Sequence, residues 1–401
     1  MTVWRPDNAA QVREAIAWAA AEQQPLRLSG SGSKDGLGRP VEAAHHLELG
    51  SLAGVVSYEP EELVLTARPG TSLQAINEML AQRHQELAFE PGDWSGLLGT
   101  ASGSGTLGGI IACNLAGPRR IKAGAARDHF LGCSAVSGRG EIFKAGGKVV
   151  KNVTGYDLCK LLAGSYGTLA ALTEVTVKVM PRAEKMRTLL LCGLGPDQSV
   201  VAMSAAAGSA HDVSGLVHLP AGVAARSSVS HVSGAAASVT AIRVEGPAPS
   251  VAHRLDALKA LFGTQAALAE LHSVNSAAFW GEVRDVTLLT ADPGRPVWRL
   301  SVAPSEAPEI LRRLEPLRPD CQLDWAGGLI WLALPAADDA HAASIRAALG
   351  GAGHATLIRA PAATRARVPV FQPLPAAHAA LAARVKHSFD PQNILNPGRM
   401  G

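Results

Sequence analysis

Ser29-Gly30-Ser31-Gly32-Ser33-Lys34, entered directly from the short apolar run Leu26–Leu28, is the stretch on which the fold assignment turns. Alternating glycines permit positive φ, so consecutive N–H groups can converge on an anion, while the serine hydroxyls add donors and Lys34 adds charge. A Gly/Ser run also serves as an ordinary flexible loop, so its surroundings have to decide. Register excludes two familiar phosphate loops. The nicotinamide fingerprint needs glycine three places after Gly32, where Asp35 stands, and the triphosphatase loop needs Gly-Lys-Ser/Thr, whereas Gly147-Lys148 is followed by Val149.

A second element lies downstream. Gly103-Ser-Gly-Thr-Leu-Gly-Gly109 runs into the apolar Ile110-Ile-Ala112, as a loop does when it feeds a helix N-terminus. Free N–H groups and the helix dipole favour an anion there, and Gly108 and Gly109 let a flat ring or a pyrophosphate lie against the backbone. Asn114, Arg119, Arg120, Arg127 and Asp128 follow in a segment too polar for a core; its arginines suit surface ion pairs equally well.

Around these loops the pattern is mixed. Val12, Ile16 and Ala19 share a helical face over residues 8–23, with Asp7 or Asn8 as cap. Strand-like runs follow at His46–Leu49, Gly54–Tyr58 and Leu63–Arg68, and then a helix that Thr71 caps, with Leu73, Ile76 and Leu80 on one face. Further strands are expected at Ser134–Ser137, Glu141–Lys144 and Leu172–Val179, with a helix near Tyr156–Ala163 and a domain edge at Met180-Pro181. From about residue 185 strands at Thr188–Cys192, Val239–Val244, Trp298–Val302 and Leu329–Leu334 alternate with helices, the pattern of an antiparallel sheet of the ferredoxin-like sort. No repeat recurs at a fixed period.

Composition sets the bounds. A chain of 401 residues with 47% hydrophobic residues supports more than one core, since single cores stop growing near ~250–300 residues. The formal charge of +3 and the lack of a basic cluster exclude nucleic acid as a partner. No apolar run reaches the ~20 residues needed to span a bilayer, and the first residues lack the apolar core of a secretory signal. The 5 cysteines are scattered without a Cys-x-x-Cys pair, which suits structural thiols and argues against an iron–sulfur cluster or other metal in this chain.

These pieces together resemble the vanillyl-alcohol-oxidase/PCMH-type FAD-binding family, and more narrowly the E-type FAD-binding subunits of glycolate oxidase (glycolate dehydrogenase). The resemblance rests on Leu28-Ser-Gly-Ser-Gly-Ser33, Thr106-Leu-Gly-Gly109 with Asn114, Arg127-Asp-His-Phe-Leu-Gly132, Lys151-Asn-Val-Thr-Gly-Tyr-Asp-Leu158 and Gly164-Ser-Tyr-Gly-Thr-Leu169. It ends with the tail Phe389-Asp-Pro…Ile394-Leu-Asn-Pro-Gly-Arg-Met400. It implies an α+β fold, with a PCMH-type FAD domain at 1–181, a ferredoxin-like cap or partner-binding domain at 182–374, and a segment at 375–401 returning to the first domain. It implies FAD with its pyrophosphate on Ser29, Gly30, Ser31, Gly32, Ser33 and Lys34, with further contacts from Pro91, Gly92, Gly105, Thr106, Gly109, Asn114, Leu172 and Asn396. Covalent members place histidine where Ser33 stands, so attachment here is expected to be non-covalent.

The related D-type catalytic subunits carry a His-x-Gly-Asp-Gly-Asn-x-His stretch that this chain lacks. Its nearest substitutes are His354 and Arg359, with Trp325 and Trp331 nearby; Lys151 and Tyr156 are further candidates for polar groups at the flavin. The reaction implied is oxidation of glycolate to glyoxylate at FAD, with a D-type FAD subunit and an iron–sulfur subunit as partners. The chain is then cytoplasmic, or peripheral at the inner membrane through those partners. A self-sufficient FAD oxidoreductase for another 2-hydroxy acid or alcohol, and a non-catalytic flavin-fold assembly subunit, are the alternatives.

Overall fold

The computed structural model describes residues 2–147 and 155–401. Strands in the first part are β1 Thr2–Trp4, β2 Leu26–Ser29, β3 His45–Glu48, β4 Val55–Glu59, β5 Val64–Ala67, β6 Gln85–Glu86, β7 Phe130–Ser137, β8 Ile142–Gly146, β9 Ala170–Lys178 and β10 Met180–Pro181. The second part holds β11 Lys185–Cys192, β12 Val213–Leu219, β13 Val239–Gly246, β14 Ala267–Leu271, β15 Val297–Ser301, β16 Asp320–Asp324, β17 Leu329–Ala333 and β18 His354–Arg359. Helices alternate with both sets, giving the expected α+β chain. Two compact units result, one of residues 1–115, 124–181 and 369–401, the other of 116–123 and 182–368. The sequence division departs from this in two places: Ala116–Ala123 belong to the second unit, and the returning segment begins at Pro369.

In the first unit a parallel sheet β1-β3-β2 and an antiparallel sheet β4-β5-β9-β7-β8 are the main layers. The helix Ala9–Ala21 forms because Val12, Ile16 and Ala19 fall on one face and Asn8 accepts from the Gln11 N–H as N-cap. That face is fully buried against Leu26, Leu47, Val136 and Ala171, and each large aliphatic side chain so buried contributes about 1.5–3 kcal/mol. Ser72, one residue after the expected Thr71, caps the helix Leu73–Ala81, because the Thr71 hydroxyl donates instead to the carbonyls of Arg68 and Gly54.

The C-terminal tail closes this unit. Leu26 N–H donates to Ile394 O and Asn396 N–H to Leu26 O. Lys386 donates to Thr168 O, Leu395 O and the Asp390 carboxylate. The helix Ala376–Phe389 that carries Lys386 buries no residue of its own, so these bonds and the apolar Ile394 and Leu395 hold the tail.

The second unit is built on one antiparallel sheet of 8 strands, order β14-β11-β13-β12-β16-β17-β15-β18. Its first four strands in chain order run β11-helix-β12-β13-helix-β14, and its last four run β15-helix-β16-β17-helix-β18. Each half is a split β-α-β-β-α-β unit with the connectivity expected of a ferredoxin-like module. Two such modules meet edge to edge at β12 and β16, where His218 pairs with Leu323. The sequence shows no repeat because only the connectivity recurs. Among the described residues no helix is long and apolar enough to cross a membrane, and no group of His, Cys, Asp or Glu could hold a metal ion.

Candidate functional site

A cleft of about 800 Å³ opens in the first unit, lined by Leu28–Asp35, Thr106, Gly108, Gly109, Cys113, Ser165–Gly167, Leu172, Asn396 and Arg399, among others. Its floor is a set of close backbone approaches. A Cβ on Gly108 would stand 2.5 Å from Pro69 Cβ, and one on Gly30 would stand 2.8 Å from Thr106 Oγ1. Gly32 takes φ +79°, a left-handed conformation that suits glycine. The Arg27–Asp35 ion pair and a bond from Asp35 N–H to Gly32 O hold the turn shut behind it.

The N–H groups of Ser31, Gly32, Ser33 and Lys34 find no acceptor among the described residues. Ser31 Oγ donates to Ser104 O, tying this loop to the second glycine element. Lys34 donates to Ser33 Oγ at 3.2 Å; burial lowers its ammonium pKa, with Cys113 and Asp93 acting in the opposite direction. Such a set of unbonded N–H groups beside a half-buried cation matches a diphosphate in charge and in donor type. The residues present therefore fit the pyrophosphate of a dinucleotide.

The helix Leu107–Cys113 departs from expectation. Its first N–H groups are already used: Leu107 donates to Thr71 O, Gly108 to Pro69 O and Gly109 to Thr106 Oγ1. The glycines here serve close packing, and the open donors belong to the Ser31–Lys34 loop instead. Asn114 ends this helix in the left-handed region at φ 48° and accepts from Arg127 N–H, so the structure gives it a capping role off the cleft lining. Pro91, Gly92 and Gly105 also lie off the lining, although a Cβ on Gly105 would come within 3.6 Å of Lys34 Nζ.

Asn396 lines the cleft, yet its amide is spent on the chain: Oδ1 accepts from Leu28 N–H at 2.8 Å and Nδ2 donates to Tyr166 O at 2.9 Å. It thereby staples the loop strand, the tail and the Gly164–Thr168 turn together. Arg399, three residues on, lines the cleft as well and donates to Lys34 O. Sequence reading passed over Arg399, Cys113 and Tyr166; the quoted tail and turn motifs contain Arg399 and Tyr166 but do not say which side chains face inward.

The remaining candidates do not converge. Lys151 lies outside the described residues, and Tyr156 is 93% exposed. His354 and Arg359 stand at opposite ends of β18. His354 is exposed, while Arg359 donates to Arg295 O at 3.0 Å and Asp292 O at 2.8 Å, which makes it a backbone staple. A strand rises ~3.3 Å per residue, so the two side chains stand well apart along β18.

The second unit gathers a different set on one face of its sheet. Arg299 pairs in register with Trp331, and Trp331 with Gln322, so the three share a face. Asp324, Arg243 and Glu245 lie on that face too by the alternation of the strands. The segment 116–123 covers part of it. Arg119 donates to both Glu245 oxygens, at 3.0 and 2.9 Å. Arg243, fully buried, donates to Ser214 and lies over the Trp280 ring. Burial would raise the Glu245 carboxyl, but Arg243 and Arg119 hold it down to about 2. Trp325 Nε1 donates to Gly117 O at 3.1 Å, and the guanidinium carbons of Arg120 and Arg299 lie 4.3 and 5.2 Å from its ring centroid.

The FAD binding domain family matches residues 2–146. Glycolate oxidase subunit GlcE of Escherichia coli is 34% identical over 98% of this chain and 97% of its own length. Glycolate oxidase subunit GlcD of Bacillus subtilis is 32% identical over 46% of this chain and 38% of its own. Among solved structures, p-cresol methylhydroxylase with substrate bound superposes with a TM-score of 0.75 at 15% identity, covering all of this chain and 88% of that one. The latter likeness shows a shared PCMH-type fold.

Proposed function

Since the chain belongs to the glycolate oxidase subunit GlcE family of FAD-linked oxidoreductases, we propose that it is the second flavin subunit of a glycolate-oxidising complex. In that reading it binds FAD non-covalently, takes part in converting glycolate to glyoxylate, and passes electrons to an iron–sulfur subunit beside a D-type flavin subunit. The observation that carries the reading is a cleft of unbonded N–H groups in a chain that matches such a subunit end to end.

When bound, FAD supplies the two-electron acceptor for oxidation of a CH–OH group. The chain's own residues hold it. Ser31–Lys34 present main-chain donors to the diphosphate, Lys34 and Arg399 supply charge at the cleft wall, and Gly30 and Gly108 let these segments pack against Thr106 and Pro69. Ser33 has no nucleophilic nitrogen to join the flavin ring, which supports non-covalent attachment. Cys113, the thiol on the lining, has its pKa raised by burial and stays protonated.

Two measurements test this. Acid precipitation of the purified yellow protein should leave flavin in the supernatant; flavin that stays with the pellet would mean a covalent link. Glycolate-dependent dye reduction should be weak for the chain alone and rise at least tenfold with its D-type and iron–sulfur partners. Full turnover by the isolated chain would replace the subunit reading with that of a self-sufficient dehydrogenase.

A further inference from the structure

Cys133 on β7 and Cys159 on the helix Leu158–Leu162 meet at one residue of the edge strand β8. That residue is Ala145, which pairs in register with Cys133. Ala145 N–H donates to the Cys133 sulfur, Cys133 S–H donates to the Cys159 sulfur, and Cys159 S–H donates to Ala145 O at 3.6 Å. Two thiols and one residue's main chain thus close a ring of hydrogen bonds. Gly146 makes the room: it takes φ +67°, and a Cβ there would stand 3.0 Å from Cys159 Sγ.

Burial raises the thiols of Cys113, Cys192 and Cys321, as it does for a cysteine packed as a small apolar group. Cys159 behaves otherwise. The Cys133 S–H holds its thiol below the ordinary value, against its own burial and the nearby Asp157 carboxylate. Cys133 is pushed up by that same bond and by burial. One sulfur is then the nucleophile and the other its resolving partner, the division of labour in a thiol pair that oxidises reversibly.

We propose that Cys133 and Cys159 are a modification site, a reversible disulfide formed with hydrogen peroxide as the oxidant. The Cys159 thiolate attacks one peroxide oxygen, the O–O bond breaks, and hydroxide leaves and takes up the proton that Cys159 gave up. Cys159 is then a sulfenic acid. The Cys133 sulfur displaces its hydroxyl, the S–S bond forms, and the Cys133 proton leaves with that oxygen as water. Two thiols are oxidised and one peroxide is reduced to two waters. The bond fastens the helix Leu158–Leu162 to β7. Leu162 lines the cleft, and so do Ser165, Tyr166 and Gly167 just beyond it, so the oxidised pair stiffens one wall of the cofactor site.

Thiol mapping of the full-length, flavin-loaded chain tests this. After brief exposure to hydrogen peroxide, alkylation with N-ethylmaleimide in denaturant and peptide mass spectrometry should show Cys133 and Cys159 joined, lighter by two hydrogens and returned to thiols by dithiothreitol. Their loss should outrun that of Cys192 at least tenfold, although Cys192 is the most accessible of the 5 cysteines. Cys133→Ser should leave Cys159 as a sulfenic acid that dimedone traps, whereas Cys159→Ser should give no dimedone adduct at Cys133. Cys192→Ser should leave the pair unchanged. Flavin should leave the oxidised chain at least threefold more slowly than the reduced one, read by the rise of free-flavin fluorescence. The native chain decides the matter even where a serine variant does not fold. Cys192 oxidised first, or all the thiols lost at one rate, would overturn the site; a disulfide with unchanged flavin release would overturn its link to the cleft.

Discussion

The cleft of the first unit and one face of the eight-stranded sheet present polar groups in opposite ways. In the cleft the open donors are main-chain N–H groups of Ser31–Lys34, and the side chains that matter are mostly missing ones, the hydrogens of Gly30 and Gly108. On the sheet the polar groups are long side chains, Arg119, Arg243, Arg299, Glu245 and Asp324, held by aromatic rings and by one another. A main-chain site depends on conformation and so tolerates side-chain truncation but not an added Cβ. A site made of buried ions depends on pairing and tolerates no lost partner.

The sharpest way to break this contrast is Glu245→Gln. It leaves Arg119 and Arg243 buried without their shared carboxylate and should destabilise the second unit by about 3–5 kcal/mol in denaturant unfolding. Flavin retention in the folded protein should be unaffected. A loss below about 1 kcal/mol would show that the ion network is less isolated from water than its burial implies.

A comparable loss is expected in the first unit only when atoms are added. Gly30→Val, whose Cβ would meet Thr106 Oγ1 at 2.8 Å, should weaken FAD by roughly a hundredfold, about 3 kcal/mol, read by flavin fluorescence. Ser31→Ala should cost only a few-fold. Equal effects of the two would mean that hydroxyls, not backbone, hold the diphosphate.

Acid should separate the units by a smaller margin. His218, at the seam between the two ferredoxin-like modules, is held to about 4 by burial and bonds Thr240 at 2.9 Å. Its folded value lies below the unfolded 6.5, so the unfolded chain binds the extra proton between them. The contribution is then fully present above pH 6.5 and is lost as pH falls toward 4, an amount of about 3 kcal/mol at most. His218→Leu should flatten that slope in thermal unfolding; a slope that survives assigns it elsewhere.

Legibility varied with the kind of interaction. The helix Ala9–Ala21 and the strands β5, β9 and β11 were readable because apolar spacing reports burial directly. β12, β14, β16 and β18 were not: Val213–Leu219 is buried on both faces and so does not alternate, Ala267–Leu271 is rich in helix-favouring residues, and Asp320–Asp324 buries Gln322 and Asp324. Each is a strand because its neighbours supply ladder partners, which local propensity does not encode. The Ser29–Lys34 loop was legible as a unit, whereas the roles of Asn114 and Asn396 as a helix cap and a staple were not. His354 and Arg359 were readable only as polar side chains after a glycine-rich stretch, and only the structure showed that they stand at opposite ends of β18.

By itself the sequence determined the α+β class, the glycine-rich loop with its excluded alternatives, and the membership of a flavin-binding family, since these rest on residue types at short spacing. Only the tertiary structure decided that the open donors lie at Ser31–Lys34 rather than at Leu107–Gly109, because other carbonyls and the Thr106 hydroxyl had to reach the helix first. It alone brought residues 117–120 onto Trp325, a meeting of segments some two hundred residues apart in the chain. Long-range contact is a property of the packed chain, and a loop's spare N–H groups are known only once every competing acceptor has been placed.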